Sequence, residues 1–449
     1  MTHIDKLYEL FCECGGSVTT DSRTIKGGEL FFALKGENFD GNAYAEKALE
    51  AGAAYAVVGE DAECLKSSSL DSARLFPVKD TAVALRQLAL YHRRRLDIPV
   101  IGLTGTNGKT TTKELINAVL SAKFRTAATS GNFNNNIGVP LTVLSIPSGA
   151  EIAIVEMGAS HPGDIKELVD ICEPDFGLIT NVGRAHLLGF GSFEGVKATK
   201  GELYDFIAGR RRECGDGTKK ADKLIFVNAD NADLVGMAES RGFVPGQSAV
   251  CYGLKYSGAE ILPTDAEHPF LMLRLSDGRV VNTKLVGAYN ADNVLAALCV
   301  GDYFGVERSA AIAAIEAYVP SNNRSQMQRT QRNVLIVDAY NANPSSMDAA
   351  LSNFEGFEAA SKIVLLGDML ELGETSVEEH RKIVEKVARC GFKAYYVGDE
   401  FAKAGANPCF ASSDELADYI STHLDAFTGA AILVKGSRGK RMERTISVL

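Results

Sequence analysis

Nowhere in this 449-residue chain is there a run of roughly 20 apolar residues long enough to span a bilayer. The opening MTHIDKLYEL has no basic segment leading into an apolar one, so no secretory leader is expected. The nine cysteines (Cys12, Cys14, Cys64, Cys172, Cys214, Cys251, Cys299, Cys390 and Cys409) are odd in number and form no CxxC pair. A disulfide framework is therefore not expected, and reduced thiols in a cytoplasm fit better. Cys12-x-Cys14 lacks a second half at zinc-site spacing. Positive charge is also short: 47 Lys and Arg face 57 Asp and Glu, a formal net charge of −10. That excludes a protein whose main task is to coat nucleic acid, though not a local basic pocket for a phosphorylated ligand. Repeats and low-complexity tracts are missing, and so is Trp, whose absence excludes nothing.

What is present is the composition of an ordinary globular protein, 46% hydrophobic and 23% charged. The length exceeds what one hydrophobic core serves, so two to four domains are expected. Three segments emerge. Residues 1–97 alternate short apolar runs (Glu29–Leu34, Tyr55–Val58) with helical stretches such as Tyr44–Ala51. This segment ends in a basic helix around His92–Arg95, and Asp97-Ile98-Pro99 reads as a linker. Residues 98–320 carry apolar runs at Val100–Leu103, Ile152–Glu156, Gly177–Thr180 and Leu224–Val227, separated by helices. A hairpin is expected at Leu271–Leu275, Asp277-Gly278 and Val280–Leu285, followed by a helix over Asn290–Val300. Residues 321–449 repeat the pattern, with strands at Val334–Val337, Ile363–Leu366, Ala394–Val397 and Ala431–Val434 and helices between, such as Val377–Cys390. Strands alternating with helices predict parallel sheets covered on both faces. The charged run Gly209–Lys223 reads as a solvated loop.

The densest chemistry lies after Val100–Leu103. Thr104-Gly105-Thr106-Asn107-Gly108-Lys109-Thr110-Thr111 runs from a strand through glycines into a predicted helix over Thr110–Ala122. Glycines let backbone N–H groups converge on phosphate oxygens, and the helix N-terminus favours an anion. Lys109 is expected at the β/γ-phosphates and the Thr110 hydroxyl on Mg²⁺. The common GxxxxGK[ST] spacing asks for glycine at Leu103; here the glycines stand at 102 and 105. Glu156, ending a strand beside this loop, can serve as a Mg²⁺ ligand or as a helix-capping carboxylate. His186 falls at the same sheet edge and reads as structural or as a ligand to a second, softer metal position. Lys200, taken by itself, is one more solvated lysine.

With these motifs in hand, the chain resembles the Mur ligase family, the ATP-dependent amide-forming enzymes of peptidoglycan synthesis, over essentially its whole length. The loop at 104–111 looks like the family's ATP loop, a feature shared with folylpolyglutamate synthases. The run from Thr129 to Pro140, with Asn132, Asn134, Asn135 and Asn136, is similar to the loop that holds the muramoyl and pyrophosphate end of the substrate. Its asparagine-rich form is that of the D-alanyl-D-alanine-adding branch. The resemblance places metal ligands at Glu156 and His186 and a carbamylated lysine at Lys200. Gly287-Ala288-Tyr289-Asn290 resembles a motif that sets Asn290 near adenine, with Tyr289 where histidine is usual. Arg324 falls where the family clamps the γ-phosphate, preceded here by Asn323. Asp338-Ala339-Tyr340-Asn341-Ala342-Asn343-Pro344 is similar to that branch's signature. It implies Asp338 at the ATP ribose and Tyr340, Asn341 and Asn343 along the cleft. Leu366–Gly373 and Val434–Arg438 also match, as candidates for the dipeptide end. Ser22, Arg23, Lys35 and Gly36 fall in segments similar to the uridine-binding domain.

The resemblance implies an α/β protein of three domains: a small N-terminal substrate domain, a central P-loop ATPase domain on a parallel sheet, and a C-terminal Rossmann-like domain. It implies ATP, two Mg²⁺ ions and a carbamate at Lys200 as cofactors. UDP-N-acetylmuramoyl-tripeptide and D-alanyl-D-alanine are the implied substrates, joined through an acyl phosphate. Lys109, Lys200, His186 and Arg324 would be the catalytic residues. A cytoplasmic monomer with no nucleic-acid partner is expected. The rival readings are another branch of the family, a folylpolyglutamate synthase, or a nucleotide-dependent regulator that ligates nothing.

Overall fold

Apolar strands alternating with helices pair in parallel sheets covered on both faces, and among the described residues the computed structural model has three largely parallel sheets and one small antiparallel sheet. It describes residues 2–36, 39–66, 71–213, 223–264, 269–320, 324 and 326–449. The first sheet contains β1 (Val18–Thr19), β2 (Leu30–Phe32), β3 (Tyr55–Gly59) and β4 (Leu75–Val78), parallel and in sequence order. One face packs on Ala45, Ala48 and Leu49 of helix Ala45–Glu50. The other packs on Leu7 and Phe11 of helix His3–Glu13 and on Leu85 and Leu88 of helix Thr81–Arg93.

The central sheet holds β5 (Val100–Thr104), β6 (Thr126–Ala128), β7 (Ile152–Glu156), β8 (Phe176–Ile179), β9 (Leu224–Asn228) and β10 (Ala249–Tyr252). All pairs are parallel, in the order β10-β9-β8-β5-β7-β6. The chain leaving β5 turns one way, to β6 and β7. The chain leaving β7 crosses to the other side of β5, to β8. At such a reversal the loops beyond the strands' carboxyl ends part and leave a crevice. The expected hairpin is present with shorter strands, as β12 (Met272–Arg274) against β13 (Val280–Asn282), joined at its edge by β11 (Glu260–Ile261).

The third sheet has β14 (Gln326–Arg329), β15 (Val334–Asp338), β16 (Lys362–Gly367), β17 (Lys393–Val397), β18 (Cys409–Phe410) and β19 (Ala431–Lys435). Its order is β14-β15-β19-β16-β17-β18, parallel but for the antiparallel edge pair β14–β15. Separate apolar clusters fill its two faces, around Phe354 and Phe401 on one side and Phe427 and Ile420 on the other.

Two expectations change here. Residues 209–213, read as part of a solvated loop, continue the 21-residue helix Phe193–Glu213; residues 214–222 lie outside the described residues. The stretch around residue 97 separates sheets but not cores. Leu7, Phe11 and Leu88 belong to one continuous cluster with Val139, Leu144 and Ile165 of the central domain. A buried guanidinium reinforces the junction. Arg93 donates from Nη2 to Asp175 (2.9 Å) and from Nε to the Cys172 carbonyl (2.8 Å). Asp175 in turn accepts from the Val100 N–H at 2.9 Å, at the first residue of β5. Asn323, at the junction with the third segment, lies outside the described residues.

Candidate active site

The nucleotide loop forms where β5 ends. Leu103 is buried inside β5, so a glycine is not needed there. The turn is made by Gly105, at φ +149°, where a Cβ would sit 1.9 Å from Thr180 Oγ1. Gly108, at φ +76°, starts helix Lys109–Ser121, and a Cβ there would sit 2.7 Å from Asn293 Oδ1. These contacts require glycine on steric grounds alone. The segment after β8 cradles the loop from below. The Asn107 N–H donates to Asn181 Oδ1 (2.9 Å), and the Asn107 carbonyl accepts from Thr180 Oγ1 (2.6 Å) and Asn181 Nδ2 (3.0 Å). Asn293 Oδ1 accepts from Thr112 Oγ1 (2.9 Å), and Asn293 Nδ2 donates to Asn290 Oδ1 (2.9 Å), so the two asparagines brace the helix. Lys109 folds back onto its own loop, donating to the Gly105 carbonyl at 2.7 Å and the Thr106 carbonyl at 3.2 Å. Desolvation lowers its pKa; the Glu156 carboxylate opposes the shift and the Arg324 guanidinium adds to it. Thr104 Oγ1 is buried without a hydrogen-bond partner at the loop's base.

Glu156, at the end of β7, is 1% exposed. Its carboxylate accepts from Thr110 Oγ1 (2.9 and 3.1 Å) and from Asn134 Nδ2 (2.8 Å), and its backbone N–H donates to Thr129 Oγ1 at 2.9 Å. The capping alternative is thereby replaced: Glu156 joins the phosphate loop to the asparagine loop. A hydroxyl and a carboxylate side by side suit a hard cation. Among the described residues no group of three or more His, Cys, Asp or Glu could hold a metal ion. Phosphate and water oxygens would have to complete the coordination of Mg²⁺ at Thr110 and Glu156.

Lys200 is not solvated. It is 2% exposed and its Nζ donates to the Gly105 carbonyl at 3.0 Å. Burial, and then the charge of Lys109, hold its pKa well below the usual lysine value. A buried amine that is readily neutral is the nucleophile that carbamate formation needs. Lys113 escaped the sequence reading. It is fully buried one turn beyond Thr110, and its Nζ donates to the Thr129 carbonyl at 2.5 Å. The available signal was a lysine on the same helical face as Ile116 and Leu120.

The C-terminal domain supplies the opposite wall. Asp338 and Lys435, paired in register at the ends of β15 and β19, form an ion pair at 2.5 Å. The Arg324 guanidinium lies 3.6 Å from the centroid of the Tyr340 ring, and its Nε is buried without a partner. Asn343 caps helix Pro344–Glu355 and also donates from Nδ2 to Asn107 Oδ1 across the interface at 2.8 Å. Asn341 Oδ1 is turned to its own chain, accepting from the Ala342 N–H at 2.9 Å. His186 donates from Nδ1 to Glu371 of the facing domain. Burial lowers the His186 pKa, and Glu371 acts in the other direction. Of the Leu366–Gly373 stretch, Asp368 is internal: it accepts from the Phe401 N–H (2.9 Å) and pairs with Lys440 (2.8 Å). Glu371 alone of the two carboxylates faces the cleft.

A cleft of about 790 Å³ joins these walls. Thr106, Asn107, Gly108, Lys109, Thr111, Asn132, Asn134, Asn135, Asn136, Glu156 and His186 line it from the central domain. Arg324, Asp338, Tyr340, Asn341 and Asn343 line it from the other side, and Asn290 lines it as well. Thr110 faces a smaller neighbouring cleft with Arg324, Tyr340 and Arg438. Thr104, Gly105, Thr129 and Lys200 lie beneath the surface as supports. Ser22, Arg23, Lys35 and Gly36 line neither cleft. Arg23 is bound to Asp21 of its own turn at 2.7 Å.

Three family descriptions match in chain order: the Mur ligase family catalytic domain over residues 16–103, the Mur ligase middle domain over 103–301, and the Mur ligase glutamate ligase domain over 323–438. The UDP-N-acetylmuramoyl-tripeptide–D-alanyl-D-alanine ligase of Bacillus subtilis (strain 168) is 32% identical over 447 residues, covering 96% of this chain and 92% of that protein. A crystal structure of MurF from Acinetobacter baumannii superposes with a TM-score of 0.81 at 26% identity, covering 98% of this chain and 97% of the other. MurF ligase from Thermotoga maritima in complex with ADP superposes with a TM-score of 0.78 at 26% identity, covering 96% of each chain.

Proposed function

The chain belongs to the Mur ligase family, and from that premise we propose that it joins D-alanyl-D-alanine to UDP-N-acetylmuramoyl-tripeptide at the expense of ATP, yielding the pentapeptide precursor of peptidoglycan. The observation that carries this reading is the shared cleft in which the loop of residues 104–111, the asparagine loop and the Asp338–Asn343 stretch face one another.

The chemical problem is one of like charges. A free carboxylate is a poor acyl donor because oxide would have to leave. Transfer of the γ-phosphoryl group to the tripeptide's terminal carboxylate releases ADP and gives an acyl phosphate. The dipeptide's amine then attacks that carbonyl, and inorganic phosphate leaves as the amide forms. In the first step a triphosphate and a carboxylate must meet. Lys109 swings from its loop carbonyls toward the phosphates, and Arg324 approaches from the facing domain with an unpaired Nε. Once both cations are turned onto the phosphates, they stabilise the charge in transfer. Thr110 and Glu156 would hold Mg²⁺, which would supply further neutralisation of the phosphate oxygens. Lys200, as the neutral amine, would take up CO₂ to give a carbamate and a proton, and the carbamate and His186 would hold a second cation. The amide side chains of Asn132, Asn134 and Asn136 offer neutral donors and acceptors to the sugar and pyrophosphate. Asp338 meets the ribose, with Lys435 holding the carboxylate in place. Ser22, Arg23, Lys35 and Gly36 serve the uridine end, away from the reacting atoms.

Phosphate release measured with both substrates, together with mass spectrometry of the UDP product, tests the reading. The expected result is a mass gain of one D-alanyl-D-alanine unit, dependent on that dipeptide and not on glutamate or a single amino acid. Phosphate release with no covalent product makes the protein a regulator instead. Extension of a folate substrate makes it a folylpolyglutamate synthase.

A further inference from the structure

Two strained residues meet across the cleft. Among the described residues only Glu173, His186, Glu371 and Arg441 have positive φ without being glycine. His186 (φ +51°) and Glu371 (φ +63°) touch each other, one from each domain. Backbone strain of this kind persists only where the surroundings fix it, and it gathers at functional sites.

Both sides are fixed. On the central domain, the His186 carbonyl accepts from the Gly189 and Phe190 N–H groups, each at 3.0 Å. Phe190 stands edge-on to the imidazole with 6.3 Å between ring centroids. On the C-terminal domain, the residues before Glu371 are tied inward. The Met369 N–H donates to His380 Nε2 and the Leu370 N–H to Ser437 Oγ, each at 3.0 Å. The Glu371 carboxylate is thus presented on a rigid loop, and its side chain is 61% exposed even with the histidine in contact. An exposed carboxylate is adverse in a cleft that gathers a triphosphate and an acceptor acid. Its contact is with Nδ1, leaving Nε2 as the second ring nitrogen. A histidine whose one nitrogen donates to a carboxylate is fixed in tautomer and orientation, and its other nitrogen becomes the better metal ligand.

We propose that Glu371 is a positioning residue for the nucleotide–metal site. The C-terminal domain delivers its carboxylate to His186 Nδ1 and so readies Nε2 for the divalent cation that accompanies ATP. Metal affinity is thereby tied to the approach of the two domains. This rests on the ligase reading for the nucleotide, its cation and the role of His186 as a metal ligand.

The test uses the full chain with Glu371→Ala and Glu371→Gln. Electron paramagnetic resonance with Mn²⁺ and a non-hydrolysable ATP analogue reads metal affinity. The ¹⁵N shifts of His186 in metal-free protein, assigned with a His186→Gln control, read the tautomer. Glu371→Ala is expected to weaken Mn²⁺ about 10–100-fold, the range usual for a lost carboxylate behind a metal-binding histidine, and to lose the pure Nδ1–H tautomer. Glu371→Gln keeps an acceptor at Nδ1, so it keeps the tautomer and loses less than about tenfold. ADP affinity without metal is expected to stay the same in both. Wild-type Mn²⁺ affinity and tautomer in Glu371→Ala overturn the proposal. A variant that keeps Mn²⁺ affinity but no longer compacts with nucleotide in small-angle scattering also overturns it, making the pair a latch between domains. Failure of the wild type to form product counts against the ligase reading and leaves the Mn²⁺ and ¹⁵N readouts able to decide on Glu371.

Discussion

Replacing Gly105 by alanine places a methyl carbon 1.9 Å from Thr180 Oγ1 and 3.1 Å from the Thr180 nitrogen, at a backbone φ of +149°. The conformation alone costs an L-residue about 1–3 kcal/mol. Relieving the overlap requires Thr180 to rotate, which breaks its 2.6 Å hydrogen bond to the Asn107 carbonyl and forfeits about 1 kcal/mol more. The total is about 2–4 kcal/mol, or roughly 30- to 1,000-fold at 1.36 kcal/mol per decade. It falls on the loop whose N–H groups must converge on phosphate, so ADP affinity carries most of it, and the thermal midpoint carries the rest. Calorimetric titration with ADP reads the first, differential scanning calorimetry the second. Adding Thr180→Ala removes the contact at 1.9 Å but neither the nitrogen at 3.1 Å nor the positive φ, so the double variant should recover only part of the loss. Gly105→Ala that binds ADP within threefold of wild type, with an unchanged midpoint, would refute the steric argument for this loop.

Lys109→Ala should lower kcat by about 10²–10³, as loss of one preorganised electrostatic contact does; wild-type turnover would remove Lys109 from phosphate binding. Incubation with ¹³C-bicarbonate should give a carbamate resonance that vanishes in Lys200→Arg, whereas its absence from wild type would exclude the modification. Arg93→Met strips Asp175 of its 2.9 Å guanidinium partner and should destabilise the joined N-terminal and central domains by about 3 kcal/mol, the lower end for a broken buried pair because Asp175 stays paired with Lys223 through its other oxygen; an unmoved calorimetric transition would refute this. His380 is fully buried and accepts the Met369 N–H at Nε2, so it must stay neutral. Burial lowers its pKa below the usual 6.5. In the window beneath 6.5 the unfolded chain therefore holds more protons, and stability rises with pH and is lost as pH falls. Thermal melts of wild type and His380→Gln across pH 5–7 should show a steeper slope in the wild type, the remainder in the variant coming from His92 and His186, whose pKa values burial also lowers; equal slopes would refute this.

Much of the site could be read as text because its chemistry is contiguous. Residues 104–111 read as strand, turn and helix because Gly105 and Gly108 stand where the chain must turn. Glu156 could be placed because an apolar strand ended in a carboxylate. Lys200 illustrates the limit. Burial is a property of what packs around a side chain, and the Gly105 carbonyl that meets its amine lies 95 residues away. Lys113 was missed for the same reason, and residues 209–213 were misjudged because charge suggested solvent where the helix simply continues.

Sequence by itself determined the alternation of strand and helix and the glycine turn from β5 into its helix, because each depends on residues near one another in the chain. Tertiary structure alone decided which of those groups share a space: the pairing of His186 with Glu371, of Asn107 with Asn343, and of Arg324 with Tyr340. Such contacts follow from how two folded domains face each other, and that geometry is set by packing across the whole chain rather than by any local run of residues.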